Sequence, residues 1–170
     1  MAEQEHSPQI QLFIEKLGRL DAGDRARLRR NAGRTLAEAR NALGLFYRLL
    51  PPGVSEYQHE TYFLVATLYP MTGGGAHGNL GESLRRARVV QNTAGLDRRI
   101  EILLDADNSQ LPFRLRQAVH FLQSNRVHVN WPQLLADLLL WNFPSRPVQQ
   151  RWARTYFTIP IQPKHENKGD

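Results

Sequence analysis

Cysteine is absent from the 170 residues. That excludes disulfide frameworks, thiolate metal sites and thiol nucleophiles together, and it fits a reducing compartment. Long apolar runs are missing too. Stretches such as Phe63–Ala66 and Leu138–Trp141 fall far below the roughly 18 residues that a membrane span requires. The opening MAEQEHSPQ is polar and carries no apolar stretch of the secretory-signal kind. The expectation is a soluble cytoplasmic protein with no membrane partner. Lysine is scarce as well: of 22 basic residues, 19 are arginine and 3 lysine.

The net charge is +6, and its distribution is uneven. Residues 8–50 hold 9 basic and 4 acidic groups, residues 51–79 hold 0 and 2, and residues 80–160 hold 11 and 6. Two positive regions flank a slightly acidic one, the pattern of two basic surfaces rather than a uniform shell. Arginine's planar fork binds phosphate oxygens in pairs and stacks on bases, so the bias suits nucleic acid. A GC-rich genome that encodes arginine readily is the other account of the same composition.

Helix signals recur along the chain and strand signals barely occur. In Pro8–Leu20, Ile10, Phe13, Ile14, Leu17 and Leu20 fall at spacings of three and four. Asp21 or Asp24 can cap the next helix. Thr35 and Glu38 form a capping-box pattern ahead of the stripe Leu36, Ala39, Leu43, Phe46 and Leu50. Pro51-Pro52-Gly53 stops that helix, and Ser55 with Gln58 opens another that closes at Pro70. Beyond the glycine stretch, helical patterns cover about 80–91, 96–106, 111–125, 131–142 and 147–158. Asn130 with Pro132 is an N-cap followed by an early proline. The predicted fold is all-α, eight to nine helices in a compact two-lobed bundle: an N-terminal lobe over 1–72, a glycine-rich linker at 73–79, a C-terminal lobe over 80–160 and a frayed tail at 161–170.

Chemistry-bearing constellations are few. Gly73, Gly75 and Gly78 spell GxGxxG with Asp97 downstream. A dinucleotide fold, however, needs a strand before the loop and an acid ending a second strand, whereas both flanks here read as helix. HETYF at His59 lacks the second histidine of a zinc-protease motif. Asp97, Glu101, Asp105 and Asp107 sit at helical spacing beside arginines, an ion-paired surface. No residue is assigned a catalytic or metal-binding role and no cofactor is expected. Trp131, Trp141, Trp152, Tyr156 and Phe157 are read as packing of the C-terminal bundle.

Arginines remain. GDRARLRRNAGR at 23–34 carries Arg25, Arg27, Arg29, Arg30 and Arg34 against one acid, Asp24. If Leu28 and Ala32 point inward, a continuous helix puts Arg27, Arg30 and Arg34 on the opposite face and Arg25 and Arg29 on a flank. Asp21 can pair with Arg25, which leaves the outward stripe without local partners. A grip for a polyanion and a solvated helix face both fit this run, and the leftover charge favours the grip. Arg98 and Arg99 near a helix N-terminus, and Arg114 and Arg116 flanking the stripe Leu115, Ala118, Val119 and Leu122, form the second basic set.

GDRARLRR, then FLVATLYP followed by GNLGESLRR, then RRIEILLDAD, LPFRLRQAVHFLQ, VNWPQLLADLLLW and VQQRWARTYF occur in that order from about residue 10 to 158. Together they resemble the CasB family, small subunits of the type I-E CRISPR surveillance complex Cascade. The resemblance implies an all-helical, non-catalytic protein present as two copies packed head to tail beside other Cascade subunits. Its nucleic-acid partners would be the crRNA guide, the target DNA and the displaced single strand of the R-loop. Leu28-Arg29-Arg30, Arg98-Arg99 and Leu115-Arg116 with Arg114 match basic elements of the family. Arg25, Arg27 and Arg34 are additional. A free-standing helical DNA-binding regulator is the alternative reading, but the outward arginines lack the Asn or Gln companions that read bases.

Overall fold

The computed structural model describes residues 6–158, and the tail read as frayed, 161–170, lies outside the described residues. Among those described there are nine α-helices and no strands: α1 Pro8–Gly18, α2 Ala22–Arg29, α3 Leu43–Leu49, α4 His59–Leu68, α5 Leu80–Val90, α6 Leu96–Leu104, α7 Leu111–Ser124, α8 Trp131–Leu139 and α9 Pro147–Phe157. Local caps set several of the starts. Ser7, Asp21, Asn79 and Asn130 each accept a hydrogen bond from the backbone N–H three residues on, meeting one of the orphan donors of a helix N-terminus.

α4 is central. Every residue from Tyr62 to Leu68 is buried, and the helix packs on α2, α7 and α8. A helix apolar all round has no solvated face to turn outward. α1 lays Ile10, Phe13 and Leu17 against this centre, with Phe13 edge-on to Tyr62 at 4.9 Å between ring centroids. One hydrophobic cluster runs from Ile10 to Tyr156 through both sides of the glycine stretch. The stretch itself is fastened at its start: Gly73 O accepts from Val129 N at 3.0 Å, and Thr72 Oγ1 donates to the Val127 carbonyl. Since α4 precedes the glycines and α5 follows them, the dinucleotide geometry is not formed.

α5 and α9 form the most extensive helix pair. Gly81 makes it possible, because a Cβ there would collide with the Trp152 carbonyl of α9, a backbone group that no rotamer change can move. Behind α9, Asp137 of α8 is buried and accepts from Trp152 Nε1 at 2.7 Å, Gln133 Nε2 at 2.8 Å and Arg151 Nη2 at 3.1 Å. Burial pushes its carboxyl pKa up, while these donors pull it back. Trp131, Trp141, Trp152 and Tyr156 are buried as expected. Phe157 is not: it closes α9 and is 37% exposed.

The segment 35–50 also departs from the expected single helix. Thr35 Oγ1 donates to the Glu38 carboxylate instead of capping, and Leu36 N finds its acceptor in Glu60 of α4. Only a short 3₁₀ turn, Leu36–Glu38, results. The chain then breaks at Asn41, whose φ of 54° lies in the left-handed region, before α3 begins. The break turns Leu43 outward, and Leu45, Phe46 and Leu49 form the buried face in its place.

Candidate nucleic-acid interface

α2 is shorter than a stripe through Arg34 requires, and this changes which of its arginines are available. The helix ends at Arg29 with Arg30 as its C-cap, and a turn with Gly33 at φ +77° follows. Arg27 is therefore not on an outward stripe. Its Nη1 donates to Asp24 at 2.9 Å and its Nε to the Asn41 carbonyl at 3.2 Å, and it is half-buried. Arg25 Nη2 donates to the Gly18 carbonyl at 2.9 Å, fastening α2 to the end of α1. Arg29, Arg30 and Arg34 are exposed, and among the described residues their side chains have no bonded partner. Helix geometry carried past the true helix end assigned the stripe wrongly.

A residue that sequence reasoning passed over holds this turn. Asn31 is 1% exposed. Its Nδ2 donates to the Arg27 and Arg40 carbonyls at 2.8 and 3.0 Å, and its Oδ1 accepts from Arg40 N at 2.8 Å. All the polar capacity of the amide that points toward backbone is thus satisfied, which locks the α2 end to the segment before α3. Its only sequence signal is an amide interrupting a basic run.

The second set splits around α7. Arg114 and Arg116 stand two residues apart, about 200° around the axis. Arg116 is exposed, and its stem lies over Gly33 so closely that a Cβ at 33 would press on it. This brings α7 against the turn that carries Arg34. Arg114 turns the other way, to a shallow depression between α5, α6 and α7 that Arg99 also lines. Its Nε is buried without a partner among the described residues, its Nη1 lies 3.5 Å from Gln117 Oε1, and its guanidinium sits 5.3 Å from the Phe113 ring centroid. Arg98 is exposed without a bonded partner among the described residues, whereas Arg99 Nη2 donates to Thr93 Oγ1 at 3.1 Å. Two groupings result: Arg29, Arg30 and Arg34 with Arg116, and Arg98 and Arg99 with Arg114.

These surfaces can attract and hold a phosphate chain, since exposed guanidinium groups without carboxylate partners release condensed counterions when they meet phosphates. No group of three or more His, Asp or Glu side chains among the described residues could hold a metal ion, and no helix there is long and apolar enough to cross a membrane. Fold and surface together define a small all-helical protein built around a buried central helix and displaying arginines in two groupings, the first of them, Arg29, Arg30, Arg34 and Arg116, without bonded side-chain partners among the described residues.

The family described as CRISPR-associated protein Cse2 matches residues 24–157. A Cse2 protein of Thermus thermophilus is 40% identical over 113 residues, covering 65% of this chain and 64% of that protein, just under two thirds of the relative's length. The crystal structure of M. ruber CasB shares the fold with a TM-score of 0.74 and 31% identity, over 90% of this chain and 94% of that one. A chain of E. coli Cascade bound to a PAM-containing double-stranded DNA target also shares it, at a TM-score of 0.63 and 21% identity over 90% and 97%. The chain belongs to the Cse2 family, whose members are also called CasB.

Proposed function

We propose that this chain is a non-catalytic small subunit of a Cascade-type CRISPR surveillance complex. In this role its arginine surfaces hold nucleic-acid backbone, without reading sequence, against crRNA-paired target and displaced strand. The observation that carries the reading is the set of exposed arginines without bonded side-chain partners among the described residues, Arg29, Arg30, Arg34, Arg98 and Arg116. Family membership and a fold shared with a chain of DNA-bound Cascade support it.

Little chemistry is required. Opening a target exchanges one duplex for another of nearly equal free energy, so modest backbone contacts decide whether the R-loop stays open. Contacts that are weak in the isolated chain become effective when the assembly supplies a high local concentration of strand. The test is the assembled complex carrying Arg29→Glu, Arg30→Glu, Arg98→Glu and Arg99→Glu. Helix content and assembly stay intact while the R-loop dissociates faster and its retention becomes less salt-dependent. Retention equal to that of the unaltered complex would refute the reading.

A further inference from the structure

A cleft of about 450 Å3 opens between α5 and α9, lined among others by Arg85, Arg86, Arg88, Val89, Asn92 and Phe157. Its size lies within the roughly 300–1,000 Å3 of sites that take small ligands. The cleft combines two kinds of surface. Arg85 and Asn92 have no bonded side-chain partner among the described residues, while Arg86 is tied at the rim to the His77 carbonyl and Glu82. Arg88 is held back over the Tyr156 ring at 5.5 Å, near Asp97. Beside these cations stand bare apolar groups: Val89 is 84% exposed, and the Phe157 ring, packed edge-on against Tyr156 at 4.7 Å, is also exposed.

An aromatic face beside an unpaired arginine fits single-stranded nucleic acid, whose bases stack while its phosphates are neutralised. Phosphate alone would leave Val89 and Phe157 in water; a base covers them. We propose that the cleft takes one unpaired nucleotide of a single strand, with its base against Phe157 and Val89 and its phosphate on Arg85. This rests on the nucleic-acid reading above and adds a base-holding site that the arginine surfaces lack. Asn92 supplies an amide to the edge of the base, and the unpaired Arg85 favours a strand over a neutral ligand by charge complementarity.

The experiment titrates the full chain into single-stranded DNA containing 2-aminopurine at low salt, following both binding and fluorescence. Wild type binds and changes the fluorescence through stacking. Phe157→Ala removes the fluorescence change and weakens binding about tenfold, as for the loss of one base–aromatic stack. Arg85→Glu weakens binding as well. Phe143→Ala, an exposed ring elsewhere, leaves both readouts unchanged, and circular dichroism confirms folding of each variant. An abasic strand bound as tightly as the normal one, or fluorescence indifferent to Phe157→Ala, overturns the base site while leaving the backbone reading in place. Absence of any binding by wild type overturns the base site, while the backbone reading stands or falls with R-loop retention by the assembled complex. Polyglutamate binding that Phe157→Ala weakens as much as DNA binding assigns the cleft to an acidic protein segment and overturns the proposal.

Discussion

The end of α2 and the junction of α8 with α9 use the same two residue types to opposite ends. At α2, Asp24 and Arg27 form a pair in which each side chain remains 29% exposed, and the side chains of three neighbouring arginines have no bonded partner among the described residues. At α8–α9, Asp137 is 1% exposed and gathers Arg151, Trp152 and Gln133 around itself. Burial separates the roles. A carboxylate removed from water must be satisfied and so becomes a fastener, whereas an arginine left in water keeps its donors for a partner.

The sharpest test of that contrast is Asp137→Ala. It leaves Trp152 Nε1 and the Arg151 guanidinium without their acceptor, and stability falls by about 3 kcal/mol, read as a lower midpoint in denaturant. Asp137 also carries a pH signature. Because burial raises its pKa in the folded state above that of an ordinary aspartate, the stability linked to its titration is present below the ordinary value and is lost as pH rises through the folded-state pKa. Asp137→Asn removes this contribution, so denaturant midpoints measured against pH lose that falling component. If Asp137→Ala unfolds no more easily than wild type, the distinction between fastener and free charge collapses.

Next in size is Gly81→Ala. The added methyl meets backbone rather than a movable side chain, so α5 and α9 must part at a cost of about 1–3 kcal/mol. The same change distorts the cleft between them, and single-strand binding weakens together with thermal stability.

Helix positions were legible wherever chemistry is local. Asn130 with Pro132, and Asp21, signal starts that the structure keeps, and the periods of α5 to α9 match to within a few residues. Legibility failed where a distant group outbid a local one. Glu60, 24 residues away, accepts from Leu36 N while the Thr35 hydroxyl turns to the Glu38 carboxylate, and the helix predicted from Leu36 breaks at Asn41. At the site, the arginines were legible as a type, but not their assignments. Arg25 and Arg27 are held by the carbonyls of Gly18 and Asn41, backbone groups that no side-chain pattern reveals. Phe157 was misjudged because helix periodicity places Tyr156 in the core without saying that its neighbour is bare.

The smallest expected change decides whether bonded and free arginines differ in function, since Arg27 and Arg29 are two residues apart on one helix. Arg27→Ala removes a part-exposed ion pair and a bond to the Asn41 carbonyl, lowering stability by about 0.5 kcal/mol while leaving the salt dependence of strand binding unchanged. Arg29→Ala breaks no bond and leaves stability within about 0.5 kcal/mol, yet the slope of log affinity against log salt becomes shallower by about 0.7, one phosphate contact on a single strand. Titration of single-stranded DNA at several salt concentrations, beside denaturant melts of both variants, separates these outcomes. If Arg27→Ala flattens the slope as much as Arg29→Ala, the Asp24 pair opens in the complex and Arg27 belongs to the binding surface after all.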